Sequence, residues 1–283
     1  MGKIKTTGKE LLEKFKEDNI TFLAAALAYY FLLAIFPLLI VGFAIIPYLN
    51  ISADDALGFF SSVLPGEIAS LFEENIINLI DTPRGGLLTI GIIGALWSAS
   101  NGIDAFIKSS NEAFDVEETR SFIVVRLISL GLTIGLIISV VVAILLPVLG
   151  DVILQLVGSI IGITAGMGIL LHVLRWLISI IVLTTFIMLL YRFAPNKKIP
   201  FKHIIPGALL ASLLWQVISF GFSIYVSNFG NYSATYGTLG GVIILMTWFF
   251  LTGLILMLGA SITVIYHRHK IQNAAELHKA ANI

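Results

Sequence analysis

The sequence predicts an all-α protein: a polytopic membrane helix bundle of six transmembrane helices, with amphipathic or re-entrant helices beside them. Three observations predict it. Hydrophobic residues make up 58% of the 283 positions and charged ones only 12%, about half the charged share of roughly 25% in soluble proteins. Apolar stretches recur that can cross a hydrocarbon core about 30 Å thick, which takes about 20 helical residues. Lysine and arginine collect in alternate connections, as they do when cations stay on the cytoplasmic side.

The first 21 residues read as a cytoplasmic amphipathic helix. Leu11, Leu12, Phe15 and Phe22 share a side and lysines and glutamates take the rest, a pattern suited to the inner leaflet. Spans follow near 22–49, 86–107, 122–149, 173–193, 204–226 and 239–266, with 267–283 as a cytoplasmic tail and 1–283 as one membrane domain. The first span is far longer than the roughly 7–15 apolar residues of an export signal, so it reads as a retained helix. Between the first two spans, Ile68, Leu71, Phe72, Ile76 and Leu79 follow helical spacing between Pro65-Gly66 and Pro83-Arg84-Gly85. That loop is acidic, which suits either a cation-attracting vestibule or a plain solvated face.

A seventh apolar stretch, 152–171, is long enough to span. Charge placement decides against it. With six spans and both ends cytoplasmic, fifteen of the 17 lysines and arginines lie inside, and only Arg84 and Arg175 lie outside. A seventh crossing would give nine inside and eight outside, which loses the asymmetry. The stretch carries Gly158, Gly162 and Gly166 at four-residue spacing, a bare strip that admits close helix approach. It is expected as a re-entrant or tightly packed pair, or as a helix in the outer interface.

Polar groups inside a bilayer are expensive and are functional candidates by default. The densest group runs from Trp97 and Ser98 through Asn101 to Asp104. Ser98, Asn101 and Asp104 stack on one helix side, either lining a pathway or bonding neighbouring helices. Tyr29, Tyr30 and Pro37 lie inside the first span, where proline frees a carbonyl and favours a kink. Lys108, Arg120, Arg126 and Arg192 stand near the inner ends of spans, placed for an ion pair, as with Asp104, or for lipid phosphate.

Enzyme chemistry has little to stand on. None of the five histidines falls in a metal motif such as His-Glu-x-x-His, and no phosphate loop, nucleophile elbow or intraspan carboxylate pair is present. No metal or other cofactor is expected. The absence of cysteine excludes disulfides and thiolate chemistry. A net charge of zero gives no reason to expect nucleic acid as a partner. Membrane lipids are the expected partners, with a homo-oligomer or other envelope proteins open beside them.

An ordered series of motifs resembles the YihY/BrkB family of bacterial inner-membrane proteins. It begins with Asp18-Asn19, Ala24 to Tyr30 and Phe36-Pro37-Leu38-Leu39, and continues with Trp97-Ser98-Ala99-Ser100 and Asn111-Glu112-Ala113-Phe114 with Arg120. Leu190 to Asn196, Pro206-Gly207-Ala208 with Trp215, and Tyr236 to Gly241 through Gly259-Ala260 complete it. The resemblance covers nearly the whole chain. It implies a six-helix bacterial inner-membrane protein, often called a virulence factor and formerly labelled ribonuclease BN, a misassignment. The family's last signature ends on an acidic residue where this chain has Ser261. Two functions are carried forward: transport of a lipid or amphipathic solute, and a non-transporting scaffold that recruits partners.

Overall fold

In a computed structural model, residues 2–45, 85–139, 165–229 and 239–281 are described, and every regular element among them is an α-helix. There are seven among these residues: α1 Gly2–Glu17, α2 Ile20–Ile45, α3 Gly85–Ala113, α4 Phe122–Ser139, α5 Ala165–Phe193, α6 Phe201–Phe229 and α7 Leu239–Ala281. Among the described residues, four stretches are long and apolar enough to cross a membrane: Phe122–Ser139, Trp176–Phe193, Phe201–Val226 and Leu239–Ala275. The count is five if Gly8–Glu17 and Ile20–Ile35 form one broken span. The loop helix expected around Ile68, the re-entrant stretch up to residue 164 and the connection 230–238 lie outside the described residues.

Local chemistry explains the boundaries. Helix α2, whose second turn enters the alanine and leucine run from Leu23 to Ala28, the best helix formers, begins directly after Asn19, which adopts a left-handed φ of 50°. Asparagine tolerates that region better than other side-chain-bearing residues. The carbonyl of Asn19 accepts from the N–H groups of Phe22 and Leu23 at 2.8 and 3.1 Å, which seats the first turn. Helix α3 ends in a Schellman cap. Asp115 takes a φ of 51°, its N–H donates to Glu112 at 3.0 Å, and the N–H of Val116 donates to Asn111 at 3.0 Å. Pro195 and Pro200 bracket the turn between α5 and α6, since a proline cannot carry a helix hydrogen bond through its nitrogen.

The chain forms two compact units. One comprises residues 1–18, 107–215 and 255–283, the other 19–106 and 216–254. In the first, Phe114, Ile187, Tyr191, Ile204, Ala208, Met257 and Ala260 are buried. Helix contact there is close because residues 207 and 259 are glycines: a Cβ at Gly207 would collide with Thr263 and the Gly259 carbonyl, and one at Gly259 with the Tyr191 hydroxyl. Tyr191 donates that hydroxyl to the Leu256 carbonyl at 2.6 Å, and Thr184 and Ser212 share a hydrogen bond of 2.7 Å between α5 and α6. In the second unit the core is Ile20, Ala24, Leu27, Ala28, Ala95, Ala99, Ile103 and Phe106. There a Cβ at Gly102 would press on Phe31, and one at Gly253 on the backbone of Ala24.

Small and hydroxyl-bearing residues join large apolar ones in these cores, while many other large apolar side chains face outward. Phe122, Ile123, Leu127 and Ile138 of α4, Trp176 and Ile181 of α5, and Val217 and Phe220 of α6 are all exposed. Water would penalise this arrangement; lipid, as apolar as the side chains, does not. Buried Ser129, Thr133, Ser261 and Thr263 donate to carbonyls four residues back in their own helices, so their hydroxyls are satisfied without water.

Candidate functional site

The richest polar arrangement joins the α3–α4 and α5–α6 connections. Asn111, buried in the last turn of α3, accepts from the backbone N–H of Asn196 at 2.7 Å and donates through Nδ2 to Glu118 at 2.8 Å. Glu118 receives Nε and Nη2 of Arg120 at 2.8 and 2.6 Å. The same guanidinium reaches across to the carbonyls of Phe193 and Ala194 at 3.1 and 2.8 Å. Asn196 returns its side-chain amide to the Glu117 carbonyl and the Thr119 hydroxyl, both at 2.8 Å.

Arg120 suits this role because its planar guanidinium offers five donors in a fixed fork. Two face a carboxylate and two face the carbonyls left open at the end of α5. Arg120, donating to Glu118, holds that carboxyl down at about 2 against burial that acts the other way. On the adjoining side of the turn, Arg192 donates to the Ile199 carbonyl at 2.7 Å and lies over the Phe201 ring.

A second charged cluster surrounds the α3 cap. Lys14 and Asp18 form a buried ion pair of 2.8 Å, Lys14 lies 3.6 Å from Asp115, and Arg268 of α7 also pairs with Asp115. Further out, His269 lies 2.9 Å from Glu10. The face that α1 buries thus runs through Lys14 and Asp18, with Leu11 and Phe15 half-buried beside them, while Leu12 is exposed. The apolar side expected for α1 is divided between the two environments. His203 and His267 meet through their Nδ1 atoms at 2.8 Å, and among the described residues no group of three or more His, Asp or Glu could hold a metal ion.

The other sequence candidates lie apart from this network. On α3, Trp97, Asn101 and Lys108 are exposed and Ser98 and Asp104 half-buried, while Ala95, Ala99, Gly102 and Phe106 on the opposite face are buried. Ser100, also buried, donates to the Trp97 carbonyl at 2.8 Å. Tyr29 and Tyr30 are both exposed and meet edge to face. Pro37 falls within α2, its side chain outside the described residues. Arg126 is buried in α4. Ser261, where the family signature has an acid, is wholly buried and bonded within α7 to Met257.

Sequence reasoning did not single out Asn111, Glu118 or Asn196 as site residues. A signal was present: Asn111, Arg120 and Asn196 fall in two of the motif runs that carry the family resemblance.

Apolar helices with outward-facing large side chains and inward-facing hydroxyls define an integral membrane protein of several passes. The chain belongs to the Virulence factor BrkB family, whose model matches residues 11–283. It is 44% identical over 262 residues to YfkH of Bacillus subtilis (strain 168), a protein with a ribonuclease-like name, covering 93% of this chain and 95% of that one. It is 31% identical to a UPF0761 membrane protein of Tolumonas auensis, covering 87% and 80%. A UPF0761 membrane protein of Xanthomonas oryzae is 27% identical, with 90% of this chain covering 59% of that longer relative. No solved structure matches the chain.

Proposed function

We propose that the protein is a transport-type component of the bacterial cytoplasmic membrane, not an enzyme, that moves a lipid or amphipathic solute across or within the bilayer. In this reading six spans place both ends in the cytoplasm. The supporting observation is the stripe Trp97, Asn101, Asp104 and Lys108 on α3, at successive steps of four, three and four residues. It stays open or half-open while the opposite face of the same helix is packed. Polar and ionisable residues on a membrane helix are costly in hydrocarbon and mark solute pathways by default, and a stripe of them on an open helix face suits an amphipathic cargo with a polar head. The ribonuclease-like name of the Bacillus relative is not carried over, since RNA cleavage needs convergent metal ligands or general acids and bases.

The test is translocation of a fluorescent phospholipid across liposomes that contain the purified protein, followed by chemical quenching from outside. Wild-type protein is expected to translocate, and Asn101→Ala and Asp104→Ala separately to slow it several-fold while remaining monodisperse. Unchanged rates in both variants would remove the pathway. No translocation by the wild type would favour the scaffold reading, which the cross-bonded α3–α4 and α5–α6 connections support as a rigid docking surface.

A further inference from the structure

The turn between α5 and α6 carries more cations than the protein itself neutralises. Lys197, Lys198 and Lys202 have no carboxylate within ion-pair distance among the described residues, and the sequence has no acidic residue between Asp151 and Glu276. Phe193, the last residue of one candidate span, and Phe201, the first of the next, flank the lysines and are 48% and 46% exposed. The short connection 194–200 cannot carry the lysines far from the level at which these rings leave the hydrocarbon. The turn is also held in place, by Arg120 on the carbonyls of Phe193 and Ala194, by Asn196 on the α3–α4 connection, and by Arg192 on Ile199.

We infer that this turn is a binding site for the headgroup of an anionic phospholipid, with the lysines on the phosphate and the two phenylalanines against the upper acyl chain. Charge complementarity selects the ligand: three unneutralised ammonium groups near a bilayer surface attract anionic lipid and leave a zwitterionic one comparatively unfavoured. The clamp holds the turn that carries these lysines in place before binding, which reduces the ordering cost of association. The site stands independently of the transport reading, because occupancy is measured without translocation.

The test uses full-length protein in neutral detergent, with bound lipid counted by native mass spectrometry during titration with phosphatidylglycerol or phosphatidylcholine. Wild-type protein is expected to prefer phosphatidylglycerol. The combined variant Lys197→Gln, Lys198→Gln, Lys202→Gln is expected to lose about tenfold or more of that affinity, with phosphatidylcholine binding unchanged as the check on folding. A control that removes two exposed cations elsewhere, Lys9→Gln with Lys16→Gln, is expected to keep the preference. Wild-type affinity in the triple variant, or an equal loss in the control, would overturn the inference. So would displacement of phosphatidylglycerol by equimolar inorganic phosphate, which would identify a free-anion site.

Discussion

The side-chain oxygen of Asn111 accepts the backbone N–H of Asn196 at 2.7 Å, across 85 residues of sequence. Through the other end of its amide, Asn111 also holds Glu118. One buried residue therefore ties the end of α3 to both connections.

Asn111→Ala is expected to lower stability by about 1–3 kcal/mol, because a part-buried N–H and a carboxylate oxygen each lose a partner. The thermal midpoint of detergent-solubilised protein reads this directly. Combining it with Asn196→Ala should give less than the sum of the two single losses, since both substitutions break one shared network.

Acid tests the Arg120–Glu118 pair. Its carboxyl sits at about 2, against an ordinary value of 4.5, so the pair's stabilisation is complete above pH about 4.5 and is lost as pH falls from there towards 2. Arg120→Gln should flatten that part of the stability profile and leave other acid-sensitive steps in place. An unchanged slope between pH 4.5 and 2 would show that the pair does not act as described.

Asp115 combines two roles that substitution can separate. Asp115→Gly removes the carboxylate that Lys14 and Arg268 face and relieves the left-handed cap of its Cβ, whereas Asp115→Ala removes the carboxylate but keeps a Cβ in that unfavourable backbone region. Alanine should be the more damaging by about 1 kcal/mol, again read as a midpoint difference. Equal midpoints would argue against the cap as a determinant of where α3 ends.

Glycine substitutions separate packed helix faces from open ones. Gly207→Ala and Gly259→Ala place a methyl group into the backbone or side chain of a neighbouring helix, and each should cost about 1–3 kcal/mol or more. Gly94→Ala and Gly221→Ala meet nothing within 4 Å. They should be neutral, or stabilising by up to about 1 kcal/mol. The fraction of monodisperse protein after mild heating ranks the four.

The helical class was legible because hydrocarbon leaves the backbone few alternatives, and stretches such as 204–226 announce themselves by composition. The α3 stripe was legible for a similar reason: Ser98, Asn101 and Asp104 follow the helix repeat. The clamp was not, because Arg120 and its carbonyl acceptors at Phe193 and Ala194 are 73 and 74 residues apart and lie where periodicity stops. The buried pair of Lys14 and Asp18 was hidden differently. By spacing it belongs to an exposed charged face, and only the fold, which buries both side chains and brings Asp115 to 3.6 Å from Lys14, shows otherwise.

The bonded α3–α4 and α5–α6 connections share one side of the membrane, and the proposed six-span topology puts that side in the cytoplasm. The chain has no cysteine, so single cysteines can report sidedness without background. Lys16→Cys and Lys198→Cys should resist a membrane-impermeant maleimide in intact cells and react after lysis, while Arg84→Cys should react from outside. Labelling of Lys198→Cys in intact cells would contradict the assignment and the topology built on it.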